Sequence, residues 1–297
     1  MSVSRHISSS QTDVHERLSE RVARYRESVF QKPVSAHSLE AFDRLTAWLK
    51  GANGPVIFDM GCGTGDSSRK LVQQFPDARV VGVDRSESRL SRDRTQTPLP
   101  LRMPAAATRT SSLDREPSAN PSSHAGFKSE HGPHKAAGNL SRAATTESSA
   151  PTGSSAPAGS SAPAGSSVPV ESARLLLLRA DIVDLVVLLR RAGFVADRQY
   201  YFYPNPYPKA VHAQRRWHAS PIFPHIVALG GLMEVRTNWQ IYALEMVAAL
   251  KHYGIKAHMD TLSLHEACTN PVSLFEAKYA RSQQTLYRVR ADLNRFS

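Results

Sequence analysis

Short apolar runs alternate with helical repeats along most of the chain. Runs rich in β-branched and aromatic residues predict five buried strands, at 56–58, 79–83, 175–178, 199–203 and 232–236. Apolar positions between them predict helices at 69–75, 185–189, 221–229 and 242–253, and two closing strands follow at 255–262 and 285–289. Strands that alternate with helices predict an α/β fold, with a mostly parallel seven-stranded sheet, helices on both faces and a final hairpin at one edge.

The first 55 residues predict a helical segment that packs on this core. Apolar residues at spacings of three and four indicate amphipathic helices at 13–29 and 39–49, which we expect to cover one face of the sheet. Residues 1–12 are polar and contain no apolar run typical of a signal peptide, so we expect them to be frayed.

The middle of the chain has a different composition. Residues 95–173 are dominated by Ser, Ala, Pro, Thr and Gly, and a six-residue unit repeats from Gly153, Gly159 and Gly165. Such a segment has too little apolar surface to offset the entropy of ordering, so it predicts a disordered insertion. The folded domain would then comprise residues 56–94 and 174–297.

The overall charge predicts a polyanionic partner. The chain has 37 Lys and Arg against 26 Asp and Glu, a net charge of +11. RNA is the partner that this balance favours. The two cysteines give no disulfide framework or zinc spacing, and no apolar run is long enough to span a membrane. We therefore expect a cytoplasmic protein, a monomer or homodimer, without a metal or a membrane contact.

A glycine-rich turn follows the first predicted strand. Gly61, Gly63 and Gly65 alternate with small residues, so a ligand can lie against bare backbone there. Asp66, Ser67 and Ser68 are expected to cap the next helix. The second strand ends in Asp84, and a carboxylate at that position suits a ribose diol. On these residues alone, a structural turn and an NAD site remain alternatives.

The spacing Gly-x-Gly-x-Gly, with Asp59 before it, resembles motif I of class I S-adenosylmethionine (SAM) methyltransferases, whose domain is Rossmann-like. The resemblance implies that Asp59 lies close to the methionine amine of SAM and that Asp84 binds the ribose hydroxyls. In a parallel sheet, ligands gather at the carboxyl ends of the strands. Asp181, Asn205 and Thr237 also fall at such ends.

The segment from Tyr203 to Trp217 carries the second group of candidate residues. Two prolines bracket Asn205 and fix the backbone where a methyl acceptor is expected. A compact basic cluster follows, which is suited to RNA phosphates, and Tyr207 and Trp217 are candidates for stacking on a base. The cluster consists of Lys209, His212, Arg215 and Arg216.

This segment resembles the Phe-Pro-Asp-Pro-Trp-Pro-Lys…His…Arg-Arg signature of bacterial tRNA (guanine-N7)-methyltransferases. Two more segments agree with that family: Gly230-Gly231 through Thr237-Asn238-Trp239…Tyr242 resembles Gly-Gly…Thr-Asp…Tyr, and 273–276 resembles Thr-x-Phe-Glu. The resemblance covers about 56–94 and 174–290.

The resemblance implies a role for each matching residue. SAM would contact Asp59, Gly61, Gly63, Gly65, Asp84, Arg85, Asp181 and Asn205. The tRNA would contact the basic cluster. The guanine would be surrounded by Asn205, Thr237, Asn238, Tyr242, Ser273 and Glu276, with Asn205 and Glu276 as the catalytic residues.

The chain departs from the family at two of these positions and at one other. Asn205 and Asn238 stand where the family has aspartates, and Ser282 stands where it usually has glycine. Guanine N7 is a bare lone pair, so methyl transfer to it needs no deprotonation and depends on alignment and electrostatics. Glu276 would be the main remaining acid, and Glu276→Gln is expected to impair the enzyme more than Asn205→Ala.

Two other functions remain open from the sequence. A SAM methyltransferase with another acceptor, an exocyclic amine or a small molecule, would keep the cofactor residues. A catalytically silent RNA-binding homologue would explain the two asparagines.

Overall fold

The computed structural model describes residues 4–51, 53–92 and 172–294. Residues 95–171 of the predicted insertion lie outside this part of the chain. The strands are β1 Val56–Met60, β2 Arg79–Asp84, β3 Leu175–Arg179, β4 Arg198–Phe202, β5 Leu232–Thr237, β6 Ala257–Thr261 and β7 Tyr287–Asp292. The helices are α1 Leu18–Glu27, α2 Ala36–Leu49, α3 Asp66–Gln74, α4 Glu87–Leu90, α5 Ile182–Arg191, α6 Phe223–Ala228, α7 Gln240–Lys251, α8 Leu264–Thr269 and α9 Leu274–Arg281.

The seven strands form one sheet in the order β3-β2-β1-β4-β5-β7-β6. The first five pair in parallel, whereas β7 lies antiparallel between β5 and β6. The expected fold class is therefore confirmed. The two closing strands pair as predicted but are not joined by a hairpin turn, because α8 and α9 lie between β6 and β7 in the chain.

Helices cover both faces of the sheet. One face packs against α1, α2, α5, α6 and α7 through a large apolar cluster that includes Phe58, Tyr201 and Val235. The other face packs against α3, α8 and α9 through a smaller cluster that includes Ile57 and Leu177. The N-terminal helices thus lie on one face, as their apolar stripes predict.

The N-terminal segment before α1 is held at several points, contrary to the expectation that it frays. Gln284 donates from Nε2 to the carbonyls of Ser4 and Arg5, at 2.9 and 3.3 Å. Ser9 donates from Oγ to the carbonyl of Pro208 at 2.6 Å. These partners are distant in sequence, so the local polarity of the segment gives no sign of them.

Candidate functional site

The glycine turn, residues 61–65, and the Asn205 loop, residues 204–209, lie at the same edge of the sheet. Strands β1 and β4 pair in parallel, with Phe58 opposite Gln199 and Asp59 opposite Tyr200. Parallel neighbours end at a common edge, so the segments 61–65 and 204–209 both leave the sheet there. The two segments therefore lie at one edge of the sheet, as the sequence predicts.

The glycine turn is built from backbone that only glycine adopts easily. Gly61, Gly63 and Gly65 have φ values of +92°, +61° and +77°. Gly61 donates its N–H to the carbonyl of Val83 at 2.8 Å, which fixes the turn to β2. A Cβ at Gly65 would lie 2.7 Å from a methyl group of Leu177. The turn therefore requires glycine for both conformation and space.

Asp59 is a buried carboxylate with one oxygen left for a ligand. Its Oδ2 accepts hydrogen bonds from the hydroxyls of Ser67 at 2.5 Å and Ser68 at 2.7 Å. None of the described residues donates to Oδ1. Burial raises the pKa of Asp59 to about 6, against the lowering effect of the two hydroxyls, and nearby Asp84 raises it further. An unpartnered buried oxygen of this kind fits a cationic amine.

Ser67 and Ser68 do not have the capping role at α3 that the sequence predicts. The helix begins at Asp66, with Gly65 at the N-cap position and no side-chain cap, so Asp66, the third predicted cap, and both serines lie within its first turn. Their hydroxyls are directed to Asp59 instead, which places the start of α3 beside the end of β1.

Gly82 makes this contact possible, although it belongs to none of the sequence motifs. A Cβ on Gly82 would lie 2.3 Å from Oγ of Ser68 and 3.1 Å from Sγ of Cys62. A glycine inside a strand often marks a close approach, which is the one signal available from sequence. Cys62 is buried, and burial raises the pKa of its thiol, which agrees with a packing role.

Asp84 joins the glycine turn to the loop after β2. Its Oδ2 accepts from the N–H of Gly63 at 3.0 Å, and its Oδ1 accepts from the N–H of Ser86 at 2.8 Å. Arg89 lies 3.1 Å from Oδ1. Asp84 therefore fixes the turn as well as standing where a ribose diol is expected, while Arg85 beside it is exposed.

Asp181 has structural partners at both oxygens. Its Oδ1 accepts from the N–H of Val183 at 2.9 Å and caps α5, and its Oδ2 lies 3.3 Å from Nζ of Lys32. The residue stands at the same sheet edge as Asp84, since β2 and β3 pair in parallel.

The loop that contains Asn205 is held in an unusual conformation. Tyr203 and Tyr207 have φ values of +53° and +45°, which side chains rarely allow. Asn205 is exposed, and its Oδ1 accepts from the N–H of Tyr207 at 3.2 Å. The exposed amide of Asn205 thus lies between two residues whose backbone is in the left-handed region.

Three of the four residues in the basic cluster reach the surface. Lys209 and Arg215 are exposed and His212 is half-buried, with the guanidinium of Arg215 at 5.9 Å from the centre of the Tyr207 ring. Arg216 is fully buried and pairs with Glu245 at 2.5 Å. The expectation that Arg216 contacts tRNA is therefore wrong for this structure, because the protein already surrounds its guanidinium.

Glu276 is buried and both of its oxygens have protein partners. Oε1 accepts from the N–H of Val272 at 3.0 Å, Oε2 accepts from the hydroxyl of Tyr203 at 2.8 Å, and Arg236 donates to both at 3.0 Å. Ser273 caps α9 by accepting from the N–H of Glu276 at 3.2 Å. These contacts give Glu276 and Ser273 structural roles and correct the expectation that Glu276 touches the acceptor.

The residues after β5 differ in how deeply their side chains are buried. Thr237 is buried, and its Oγ1 accepts from the N–H of Trp239 at 3.2 Å. Asn238 is half-buried and donates from Nδ2 to Oε1 of Gln284 at 2.8 Å. Tyr242 is fully buried in the core against the ring of His218, so the expectation that it contacts the guanine is wrong.

Within the described residues, no group of three or more His, Cys, Asp or Glu side chains is arranged to hold a metal ion. In the same part of the chain, no helix is long and apolar enough to cross a membrane.

Two family models match the chain, and the first match extends into the middle segment. The model described as "Methyltransferase domain" matches residues 57–118, and the model described as "Putative methyltransferase" matches residues 174–289. The chain therefore has a Rossmann-like methyltransferase fold, and the two models support a class I SAM-dependent methyltransferase. SAM is its cofactor, and the residues of the site fit it: the glycine turn offers bare backbone, and Asp59 offers an unpartnered carboxylate oxygen.

Curated relatives match over short stretches. The methyltransferase domain is 31% identical over 71 residues to trans-aconitate 2-methyltransferase of Acidovorax sp. (strain JS42), which is 24% of this chain and 27% of that protein. It is 45% identical over 42 residues to the enzyme of the same name from Variovorax paradoxus (strain S110), which is 14% of this chain and 16% of that protein. The chain thus spans about a quarter or less of the curated relatives it matches.

Solved methyltransferase structures are similar at low identity. An antibiotic-related methyltransferase aligns over 90% of this chain and 97% of its own, with 12% identity and a TM-score of 0.46. The 16S rRNA methyltransferase KamB aligns over 88% and 95%, with 12% identity and a TM-score of 0.43.

Proposed function

We propose that this chain is an RNA methyltransferase that transfers the methyl group of SAM to guanine N7 in tRNA. One observation carries the proposal: the cofactor turn at 61–65 and the strained Asn205 loop leave neighbouring parallel strands at one edge, beside surface cations. The family model that matches residues 174–289 is that of the tRNA guanine-N7 methyltransferases, which supports this acceptor.

Methyl transfer to guanine N7 needs no general base. Guanine N7 carries a lone pair and no proton, so the acceptor needs alignment rather than deprotonation. SAM supplies an electrophilic methyl group on a sulfonium. In the proposed site, Asp59 holds the amine of the cofactor, Asp84 holds its ribose, and the exposed amide of Asn205 lies beside the acceptor base.

The surface cations position the RNA. Lys209 and Arg215 are exposed directly after the Asn205 loop, where they can neutralise phosphates next to the flipped or unpaired guanine. Asn205 and Asn238 keep carbonyl acceptors for the N1–H and N2–H donors of guanine but carry no charge. We infer weaker selection for guanine than a carboxylate would give.

We also propose a reducing, cytoplasmic location. Both Cys62 and Cys268 are free thiols. Free thiols are typical of proteins that function in reducing compartments.

Transfer of label from SAM to candidate acceptors tests the proposal. The protein is incubated with labelled SAM and, separately, with bulk tRNA, ribosomal RNA or trans-aconitate, the acid named for the curated relatives. We expect label in tRNA. Label in the acid alone would make the chain a small-molecule methyltransferase, and SAM binding without transfer to any acceptor would make it a silent homologue.

A further inference from the structure

A buried ion pair lies directly beneath the Asn205 loop. Arg216 and Glu245 are both fully buried, and Nη1 of Arg216 lies 2.5 Å from Oε2 of Glu245. His218 adds its Nε2 at 2.8 Å from the same oxygen. Gln11 donates from Nε2 to Oε1 of Glu245 at 2.7 Å. These four residues form the Arg216 cluster.

The charges in the Arg216 cluster are balanced as one cation and one anion. Burial lowers the pKa of His218 and so favours the neutral imidazole, whose Nε2–H donates to the carboxylate of Glu245. Burial also acts against ionised Glu245, but the donors of His218 and Arg216 outweigh it and lower its pKa to about 2. The guanidinium therefore keeps its anionic partner throughout the physiological pH range.

The remaining donors of Arg216 reach the Asn205 loop. Nη2 and Nε donate to the carbonyl of Tyr207 at 3.0 and 3.3 Å, and Nη2 also donates to Oε1 of Gln11 at 3.0 Å. The guanidinium lies 4.7 Å from the ring centre of Trp239, which follows β5. One side chain thus connects the loop, the end of β5, helix α7 and the N-terminal segment.

The residue held by these bonds, Tyr207, is one of the two residues with positive φ on either side of Asn205. Tyr207 has a φ of +45°, and its N–H donates to Oδ1 of Asn205. A residue in this conformation persists only where its surroundings hold it. Arg216 holds the carbonyl side of Tyr207, while Asn205 is held through the N–H side of the same residue.

We propose that Arg216 is a positioning residue for methyl transfer. Its side chain sets the conformation of the Asn205 loop and so the position of Asn205 against the acceptor. This inference rests on the proposed function. A lysine can keep a positive charge beside Glu245, but its single ammonium cannot reach Glu245, Gln11 and the Tyr207 carbonyl together. The planar guanidinium is required for its geometry, in addition to its charge.

The variant Arg216→Lys tests this role, with Arg79→Lys as the matched control. Arg79 also donates to a backbone carbonyl, that of Trp48, and lies 5.1 Å from the ring centre of the same tryptophan, but it stands at the opposite end of β2 from the site. For Arg216→Lys we expect kcat with tRNA to fall about ten- to a hundred-fold, since small misplacements cost that much. The SAM Kd should stay within about twofold, and Arg79→Lys should keep both values.

Hydrogen–deuterium exchange gives a readout that is independent of activity. In Arg216→Lys, we expect faster exchange in 203–209 and unchanged exchange in 57–71. If wild-type protein methylates no tRNA but the exchange pattern changes as expected, the proposed function fails while the positioning of the loop stands. Unchanged exchange in 203–209, or equal loss of SAM binding and kcat, would overturn the inference.

A second variant covers the case in which Arg216→Lys does not fold. Gln11→Ala removes one acceptor of Arg216 and one donor to Glu245 from the edge of the cluster. We expect a smaller fall in kcat, about threefold, with unchanged SAM binding. Wild-type kcat and wild-type exchange in 203–209 for Gln11→Ala would then overturn the inference.

Discussion

The hydroxyl of Ser68 lies 2.7 Å from the carboxylate of Asp59, in space that exists because Gly82 has no side chain. Gly82→Ala would place a Cβ 2.3 Å from that hydroxyl. We expect the variant to be destabilised by about 1–3 kcal/mol and to bind SAM more weakly, because Ser68 must move away from Asp59. Urea unfolding and calorimetric titration with SAM measure the two effects.

Gly193→Ala is the control for that substitution. Gly193 has a φ of +70°, and a Cβ added to it would meet no atom within 4 Å, so the cost of the substitution is conformational alone. We expect about 1–2 kcal/mol of destabilisation and an unchanged SAM Kd. A Gly82→Ala protein with wild-type SAM affinity would contradict the role given to Gly82.

The affinity for SAM should depend on pH through Asp59. The pKa of Asp59 is raised to about 6 in the unliganded protein, and a bound cationic amine favours the ionised carboxylate. Affinity should therefore rise as the pH increases from about 5 to 7 and then level off. Calorimetry in buffers of different ionisation enthalpy would detect the proton released on binding. The variant Asp59→Asn should bind weakly and lose this pH dependence, and a wild-type Kd that is constant across this range would exclude the amine contact.

The raised pKa of Asp59 also has a consequence for stability. A carboxyl group whose pKa is higher in the folded than in the unfolded protein stabilises the fold at low pH. This contribution is lost as the pH rises from the unfolded pKa of 3.8 through the folded pKa of about 6. Between pH 5 and pH 7.5, the free energy of unfolding of wild type should fall by about 1 kcal/mol relative to that of Asp59→Asn. Urea unfolding at the two pH values checks this, and parallel curves for the two proteins would contradict it.

Glu276→Gln should act mainly on stability. The carboxylate accepts from Arg236, Tyr203 and the N–H of Val272, and an amide cannot accept at both positions. We expect a loss of about 1–3 kcal/mol by urea unfolding. Tyr203→Phe, which removes a single donor, should cost less. A Glu276→Gln protein with wild-type stability and no methyl transfer would instead place Glu276 at the acceptor.

Lys209→Ala should weaken RNA binding by removing a phosphate contact. We expect the slope of log affinity against log salt concentration to fall by about 0.7–0.9 for tRNA, with SAM binding unchanged. Lys251→Ala, an exposed lysine at the end of α7, is the matched control and should leave the slope unchanged. Equal slopes for the two variants would contradict the placement of RNA beside the Asn205 loop.

The parts of this fold that the sequence predicts are those that local patterns encode. Buried strands are continuous apolar runs, and the turn at Gly61 to Gly65 needs a residue type that is visible in the sequence. Parallel strands then bring Asp59, Asp84 and Asn205 to one edge without further information.

The wrong predictions for site residues concern side chains that are buried in the structure. Whether a side chain is buried depends on contacts with distant parts of the chain. Arg216 resembles a surface cation in the sequence because its partners Glu245 and Gln11 lie far away along the chain. Tyr242 and Glu276 match motif positions, but packing against His218 and Arg236 decides where their side chains lie. The same holds for α8 and α9, whose short helices show little periodicity.

Identifying the methylated nucleoside is the most direct test of methyl transfer to guanine N7. Bulk tRNA is incubated with the purified protein and isotopically labelled SAM, digested to nucleosides and analysed by mass spectrometry. We expect label in 7-methylguanosine, reduced in Lys209→Ala and in Asp59→Asn. Label confined to adenosine, to protein or to no RNA nucleoside would contradict guanine N7 as the acceptor.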